Sequence, residues 1–297
     1  MDWIDYFFIY ARYEKRFSSH TITAYEMDIE QYVAFLSSKK KKIKNATHKD
    51  IRSWIINELE AGKSPRTVNR KISTLKALYK FLLKDNYISV NPIDKVITPK
   101  QKGKTLPVFL SESEMNNLLD FDQNIFPDTF EGKRDRAIIE LFYATGIRLS
   151  ELANIRRKDI DFYSQTVKVL GKRNKERIIP WSKNLNPALQ EYVSSYENEF
   201  GTFEQESLFF VTTKGKDIYV KLIYRIVKKY LDMVSTVKKR SPHVIRHTFA
   251  THLLNNGADL IAIKEILGHS SLAATQIYTH ISVEKLKKTY KQAHPRA

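Results

Sequence analysis

The sequence predicts a mainly α fold in two domains: an all-helical N-terminal bundle over 1–95, and a mainly helical α+β unit with one small antiparallel sheet over 110–297. Three observations predict it. Apolar residues recur at helical spacing through most of the chain. A stretch of prolines, a glycine and lysines breaks that spacing at 96–109, which reads as an exposed linker. Only TVKVL, GKRNKE and RIIP combine short β-branched runs with a polar turn, the pattern of a hairpin.

The elements follow in order. In TAYEMDIEQYVAFL, residues Tyr25, Ile29, Tyr32, Val33 and Leu36 share one helical face, and Lys39 to Lys44 form a lysine-rich loop. IRSWIINELEAG predicts a helix stopped at Gly62. Ser64 and Pro65 open another, whose Val68, Ile72, Leu75, Leu78, Tyr79 and Leu82 make a core stripe. Arg66, Arg70, Lys71 and Lys80 decorate the rest of that helix, a basic face suited to phosphates or a major groove. Asn91-Pro92 ends the helical region. In the second unit, Ser111 and Glu114 match a capping box. FDQNIFPDTFEG reads as a loop, KRDRAIIELFYATG as a helix ending at Gly146, and LSELANI as a short helix. Beyond the hairpin, helices return from about Asn186 to the end.

Composition narrows the function. The 297 residues carry a formal net charge of +17, an excess that a polyanion offsets, with nucleic acid foremost. Residues 1–104 hold 21 Lys and Arg against 11 Asp and Glu, so the N-terminal third has the denser positive field. Cysteine is absent, which excludes disulfides and thiolate metal sites. The aromatic start, MDWIDYFFIYARYEKRF, lacks the basic leader and small-residue cleavage site of a signal peptide. No apolar run approaches the roughly 20 residues that span a bilayer. The expectation is a soluble, cytoplasmic protein without membrane insertion.

Four segments carry candidate chemistry. ATGIRLSEL presents Arg148 after a helix-ending glycine, and a guanidinium offers a planar, permanently charged fork for phosphate. Glu151, three residues on, orients Arg148 or His243, or is simply solvated. The turn GKRNKER projects Lys172, with Lys175 as an alternative acid or DNA contact. In SPHVIRHTFATHLL, Ser241 is an N-cap and Pro242 the first helical residue, so His243 and Arg246 share a face near a helix N-terminus, where an anion is favoured. In IKEILGHSSLAATQIYTH, Gly268 ends a helix, His269 lies in the turn, and Ser270 or Ser271 caps a helix carrying Tyr278. A phenol with a pKa of roughly 10 becomes a nucleophile when cations and a histidine assist its deprotonation. The histidines have no acidic or thiol partners at zinc spacing, so neither metal nor cofactor is expected. His247 and His252 serve packing or hydrogen bonding instead.

The ordered set Arg148, Lys172, His243-x-x-Arg246, His269 and Tyr278 resembles the catalytic signature of the tyrosine recombinase (phage integrase) family. TGIRLSEL, GKRNKER, HVIRHTFATHLL and LGHSSLAATQIYTH each look like the family's corresponding segments. The resemblance spans essentially the whole chain and is greatest to the bacterial Xer recombinases. It implies an N-terminal core-binding, SAM-like bundle and a C-terminal catalytic domain, two domains that clamp a duplex. It implies Tyr278 as nucleophile forming a 3′-phosphotyrosyl link, Arg148 and Arg246 clamping the scissile phosphate, Lys172 as general acid, and His243 and His269 assisting proton transfer, with Glu151 in support. The sequence departs from the family's turn, with Arg173 where a glycine is frequent.

The same resemblance implies double-stranded DNA with a dif-like site as substrate, chromosome-dimer resolution as the task, a second Xer-type recombinase in a tetrameric synaptic complex, and an FtsK-type DNA translocase as trigger. SVEKLKKTYKQAHPRA would form a terminal helix that packs into a neighbouring protomer. MNNLLDFD leans toward the XerC-like member over the XerD-like one. The rivals are an integrase of a phage or mobile element with the same chemistry, a non-catalytic helix-turn-helix regulator, and a type IB topoisomerase.

Overall fold

A computed structural model describes residues 3–100, 108–120, 125–171, 175–234, 240–268 and 289–296. The chain divides into two units, Met1–Thr105 and Leu106–Ala297.

Every regular element among the described residues of the first unit is a helix. Helices α1 (Trp3–Ile9), α2 (Ser19–Ser38), α3 (His48–Glu60) and α4 (Pro65–Lys84) surround one core. Side-chain oxygens set two of the starts: the Ser18 hydroxyl accepts from the Thr21 N–H and the Ser64 hydroxyl from the Thr67 N–H. Gly62, at φ +79°, turns the chain between α3 and α4. Tyr32, Trp54, Leu75, Leu78 and Tyr79 are essentially buried, each contributing about 1.5–3 kcal/mol by leaving water. Beyond Asn91-Pro92 the chain makes a single 3-10 turn, Pro92–Lys95, capped by the Asn91 side chain.

Two basic residues of α4 do not belong to the solvated face that the sequence suggested. Lys71 is only 4% exposed, with its ammonium 2.7 Å from Glu58, bonded to Gln31 and seated over the Trp54 ring. It lies three residues after Val68 and four before Leu75, inside the core stripe, and so is not a DNA contact. Arg70 is half-exposed, but its fork grips buried Asp28 through bonds of 2.6 and 2.8 Å. Thr74 donates to the same carboxylate at 2.7 Å. Arg66 remains exposed on the first turn of α4.

The second unit contains α5 (Glu112–Leu119), α6 (Phe130–Thr145), α7 (Leu149–Ala153), β1 (Ile160–Asp161), β2 (Thr166–Leu170), β3 (Glu176–Pro180), α8 (Asn186–Phe200), α9 (Val220–Val234), α10 (Pro242–Asn255) and α11 (Leu260–Leu267). The fold class is thus as the sequence predicts. The expected capping box is present, with the Ser111 hydroxyl accepting from the Glu114 N–H and the Glu114 carboxylate from the Ser111 N–H. Helix α6 begins at Phe130, earlier than the loop reading of FDQNIFPDTFEG allowed, because the Thr129 hydroxyl accepts from the Gly132 N–H and caps it. The sheet has order β1-β2-β3, all antiparallel, and Val169 pairs with Arg177 and Val167 with Ile179. The two-residue β1 was not foreseen; it is too short to show alternation.

The buried stretch of α6 carries Ile138, Ile139, Leu141 and Phe142 through the centre of this unit. Its end is fixed by Gly146 at φ +57°, where an added Cβ would stand 2.2 Å from the Phe249 ring. That close approach sets α10 against the C-terminus of α6. His252 on α10 is buried, lies 2.8 Å from the Tyr143 hydroxyl through Nδ1 and 2.8 Å from the Leu110 carbonyl through Nε2, and so packs and bonds as expected. Burial holds it below the usual imidazole range.

Residues 289–296 of the expected terminal segment pack into their own chain rather than leaving it. Tyr290, Ala293 and His294 are buried in the same core, and the Ser182 hydroxyl donates to the Arg296 carbonyl at 2.6 Å. Among the described residues of this end, Tyr290, Ala293 and His294 thus have their seat within the same chain. No described helix is long and apolar enough to cross a membrane.

Candidate active site

Arg148 is placed by Gly146 and by α7. The left-handed glycine ends α6, and two residues later the Arg148 N–H donates to Glu151 Oε2 at 2.8 Å, starting α7 with a carboxylate in its first turn. The same Glu151 accepts from the Arg148 guanidinium at 2.8 Å through Oε1. Of the roles left open for Glu151, orienting Arg148 is therefore the one the geometry realises. It is 7% exposed and not a solvated side chain.

Arg246 is placed by α10, opened by Pro242 at its first turn. Ser241 occupies the cap position without a side-chain cap bond. The Arg246 guanidinium donates to the Gly146 carbonyl at 2.6 Å and to the Leu267 carbonyl at 2.8 Å. His243, one turn earlier, is exposed.

A third arginine joins them. Arg177 on β3 donates to both oxygens of Glu151, at 3.0 and 2.7 Å, and to the Ile266 carbonyl at 2.8 Å. Arg148 also donates to the Gly268 carbonyl at 2.6 Å. Three guanidiniums thus cap three successive carbonyls, those of Ile266, Leu267 and Gly268, at the C-terminus of α11. A helix C-terminus carries partial negative charge and unbonded carbonyls, so it holds cations well. Gly268, at φ +63°, lets the Arg177 guanidinium lie within 3.1 Å of where a Cβ would stand. Sequence reading had passed over Arg177 as one charge of a basic turn. The signal was its register: it shares a strand face with Ile179, opposite buried Val169.

The electrostatics follow. Three arginines share one carboxylate. Burial, together with repulsion from Arg148 and Arg177, presses the Arg246 guanidinium down to about 10, still fully charged at neutral pH. Burial alone would raise the Glu151 carboxyl, but bonds from Arg177 and Arg148 hold it below its ordinary value, so it stays ionised. The group carries a surplus of positive charge in a partly buried place, which an anion relieves. Beside it opens a cleft of about 570 Å³ whose lining includes Arg148, Glu151, Lys168 and Gly171. Of the other expected site residues, Lys175 is exposed at the turn end of the hairpin, directly before β3. Lys172, His269 and Tyr278 lie outside the described residues.

Comparison with known proteins decides the family. The phage integrase family matches residues 108–285, and its N-terminal SAM-like domain matches 4–86. The chain belongs to the phage integrase family. As a tyrosine recombinase of this family it is a DNA strand-exchange enzyme, and its relatives place it with the Xer group. It is 39% identical to tyrosine recombinase XerC of Bacillus subtilis, over 100% of this chain and 97% of that protein. To tyrosine recombinase XerC of Chlorobaculum tepidum it is 36% identical, over 99% and 95%. Among solved structures, XerH recombinase in a post-cleavage complex with palindromic difH substrate shares the fold at TM-score 0.71 and 23% identity, over 90% of this chain and 78% of that one. The Tn1549 transposon integrase shares it at TM-score 0.68 and 22% identity, over 95% and 96%.

Proposed function

We propose that this recombinase cuts and rejoins DNA at dif-like sites through a phosphotyrosine at Tyr278, resolving chromosome dimers before cell division. The observation that carries the reading is the surplus-positive cluster of Arg148 and Arg246 at the end of α11, directly before His269 and ten residues before Tyr278. The Tyr278 hydroxyl attacks the phosphorus, and its proton passes to a histidine, His243 or His269. The bond from phosphorus to the tyrosine oxygen forms as the bond to the 5′-oxygen breaks, and Lys172 protonates that leaving oxygen. Arg148 and Arg246 hold the non-bridging oxygens, where charge accumulates in the transition state. The new phosphotyrosyl ester is close in energy to the phosphodiester it replaces, so a 5′-hydroxyl from a partner strand reverses the step without ATP. Arg66 and Lys175 contact the DNA backbone. Cytoplasmic location, pairing with a second Xer-type recombinase in a tetramer, and triggering by an FtsK-type translocase complete the reading.

The test uses the full chain, a nicked suicide site and EDTA. The wild-type protein forms a covalent adduct, and Tyr278→Phe binds the DNA but forms none. An adduct from Tyr278→Phe, or a strict need for a divalent metal, overturns the mechanism.

A further inference from the structure

Arg177 belongs to none of the roles assigned above, yet it makes three bonds at the cluster's centre. Its side chain is 15% exposed. Each oxygen of Glu151 accepts one bond from Arg177 and one from Arg148, so the carboxylate is a bridge between two forks. Without Arg177, Glu151 keeps its bonds to Arg148 but loses what holds it on the opposite side. It could then rotate, and the Arg148 fork with it. The Nε bond to the Ile266 carbonyl does a second thing: it ties strand β3 to the end of α11, whose next carbonyls hold Arg246 and Arg148. The guanidinium also lies flat against Gly268, the residue before His269. A lysine carries its donors on one nitrogen and lacks the planar fork, so it does not reproduce the paired bonds to both oxygens of Glu151 together with the Nε bond to Ile266.

We propose that Arg177 is a positioning residue for strand cleavage: it fixes Glu151 and the end of α11 so that Arg148 meets the scissile phosphate at one place, without touching DNA itself. The proposal rests on the assignment of Arg148 to the phosphate and of Tyr278 as nucleophile. Partners that orient metal ligands change activity by about 10- to 100-fold, and a misplacement of reacting groups by about 1 Å accounts for losses of that order.

The experiment measures single-turnover adduct formation on the suicide site at saturating protein, with DNA affinity and melting temperature measured alongside. Arg177→Gln is expected to slow cleavage about 10- to 100-fold while DNA affinity stays close to wild type. Arg177→Lys recovers part of the rate. The double variant with Glu151→Gln is slowed by less than the product of the two single losses, because both act on the Arg148 fork. A scissile methylphosphonate, which lacks the anionic oxygen that Arg148 meets, reads the role directly: on it the Arg177→Gln deficit shrinks. A wild-type rate for Arg177→Gln, losses that multiply with Glu151→Gln, or a deficit of equal size on the neutral linkage overturns the proposal. If Arg177→Gln does not fold, Arg177→Lys decides: slowed cleavage at an unchanged melting temperature supports it, and wild-type cleavage ends it. Tyr278→Phe runs in parallel. An adduct from that variant sinks the nucleophile assignment; an inert Tyr278→Phe beside a fully active Arg177→Gln sinks this proposal alone.

Discussion

The second unit pairs buried Arg134 with Asp135 and Arg136 with Glu140, as the first unit pairs its cations, but the arginine cluster of its site is balanced differently. In the first, every buried or half-buried cation of α4 meets its own carboxylate: Lys71 has Glu58 and Arg70 has Asp28. In the site cluster Glu151 is bonded by Arg148 and Arg177, whose other bonds go to backbone carbonyls, and the bonds of Arg246 go to backbone carbonyls alone. Neutral pairs leave nothing for an outside ion to add, so they serve the fold. A surplus held in place by carbonyl dipoles, with one carboxylate bonded to it among the described residues, suits an anion. Counting positive charges along the sequence does not separate the two cases. Counting carboxylates within reach does.

The largest expected effect falls on the surplus cluster. Arg246→Ala should lower single-turnover cleavage about 10²- to 10³-fold, as losing one preorganised donor to a transition-state oxygen does. Arg70→Ala, measured in the same assay on folded protein, should leave the cleavage rate near wild type. Equal losses for the two would erase the distinction. Next comes the neutral pair. Lys71→Met should destabilise the first unit by about 3–5 kcal/mol in urea unfolding, because it strands the Glu58 carboxylate in the core. Replacing Glu58 with leucine in the same variant should restore most of that loss. A Lys71→Met protein of normal stability would mean that Glu58 reaches water after all.

A smaller effect concerns acid. The Glu151 carboxyl titrates below its ordinary 4.5 in the folded chain, so its stabilisation is complete above that value and fades as pH falls through the folded value. Wild-type melting temperature should therefore drop more steeply below about pH 4.5 than that of Glu151→Gln. Parallel curves would show that the two arginines do not hold this carboxylate ionised. The smallest effect belongs to an exposed pair. Lys158→Ala removes a 2.7 Å contact to solvent-exposed Glu206 and should leave the urea midpoint close to wild type.

Much of this was legible in the sequence, for definite reasons. The helices of both units show their apolar stripes, and Gly62, Gly146 and Gly268 stand where left-handed backbone ends or follows a helix. Arg148 was found because it follows Gly146, and Arg246 because it sits one turn into a helix opened by proline. What escaped were charged residues on apolar faces. Asp28 follows Tyr25 by three and precedes Tyr32 by four, and Lys71 has the same relation to Val68 and Leu75, so spacing marks both as inward-facing. Their charge argued for the surface, and only partners on other helices, Glu58 and Gln31 for Lys71 and Arg70 and Thr74 for Asp28, resolve the conflict. Arg177 escaped for the same reason, on a strand. The capping of three carbonyls by three arginines brings together residues up to 120 positions apart, which no local pattern reveals.

The seat filled by Tyr290, Ala293 and His294 has a consequence for assembly. It is built by the receiving chain alone, so every copy possesses one, and each copy's own tail matches it in shape. Should a tail swing out to a neighbour, it vacates a hollow that a tail of the same kind can refill. Such trading keeps every hollow occupied only around a closed circle, where each member gives and takes; in an open row, the first would stay empty and the last tail would dangle in water.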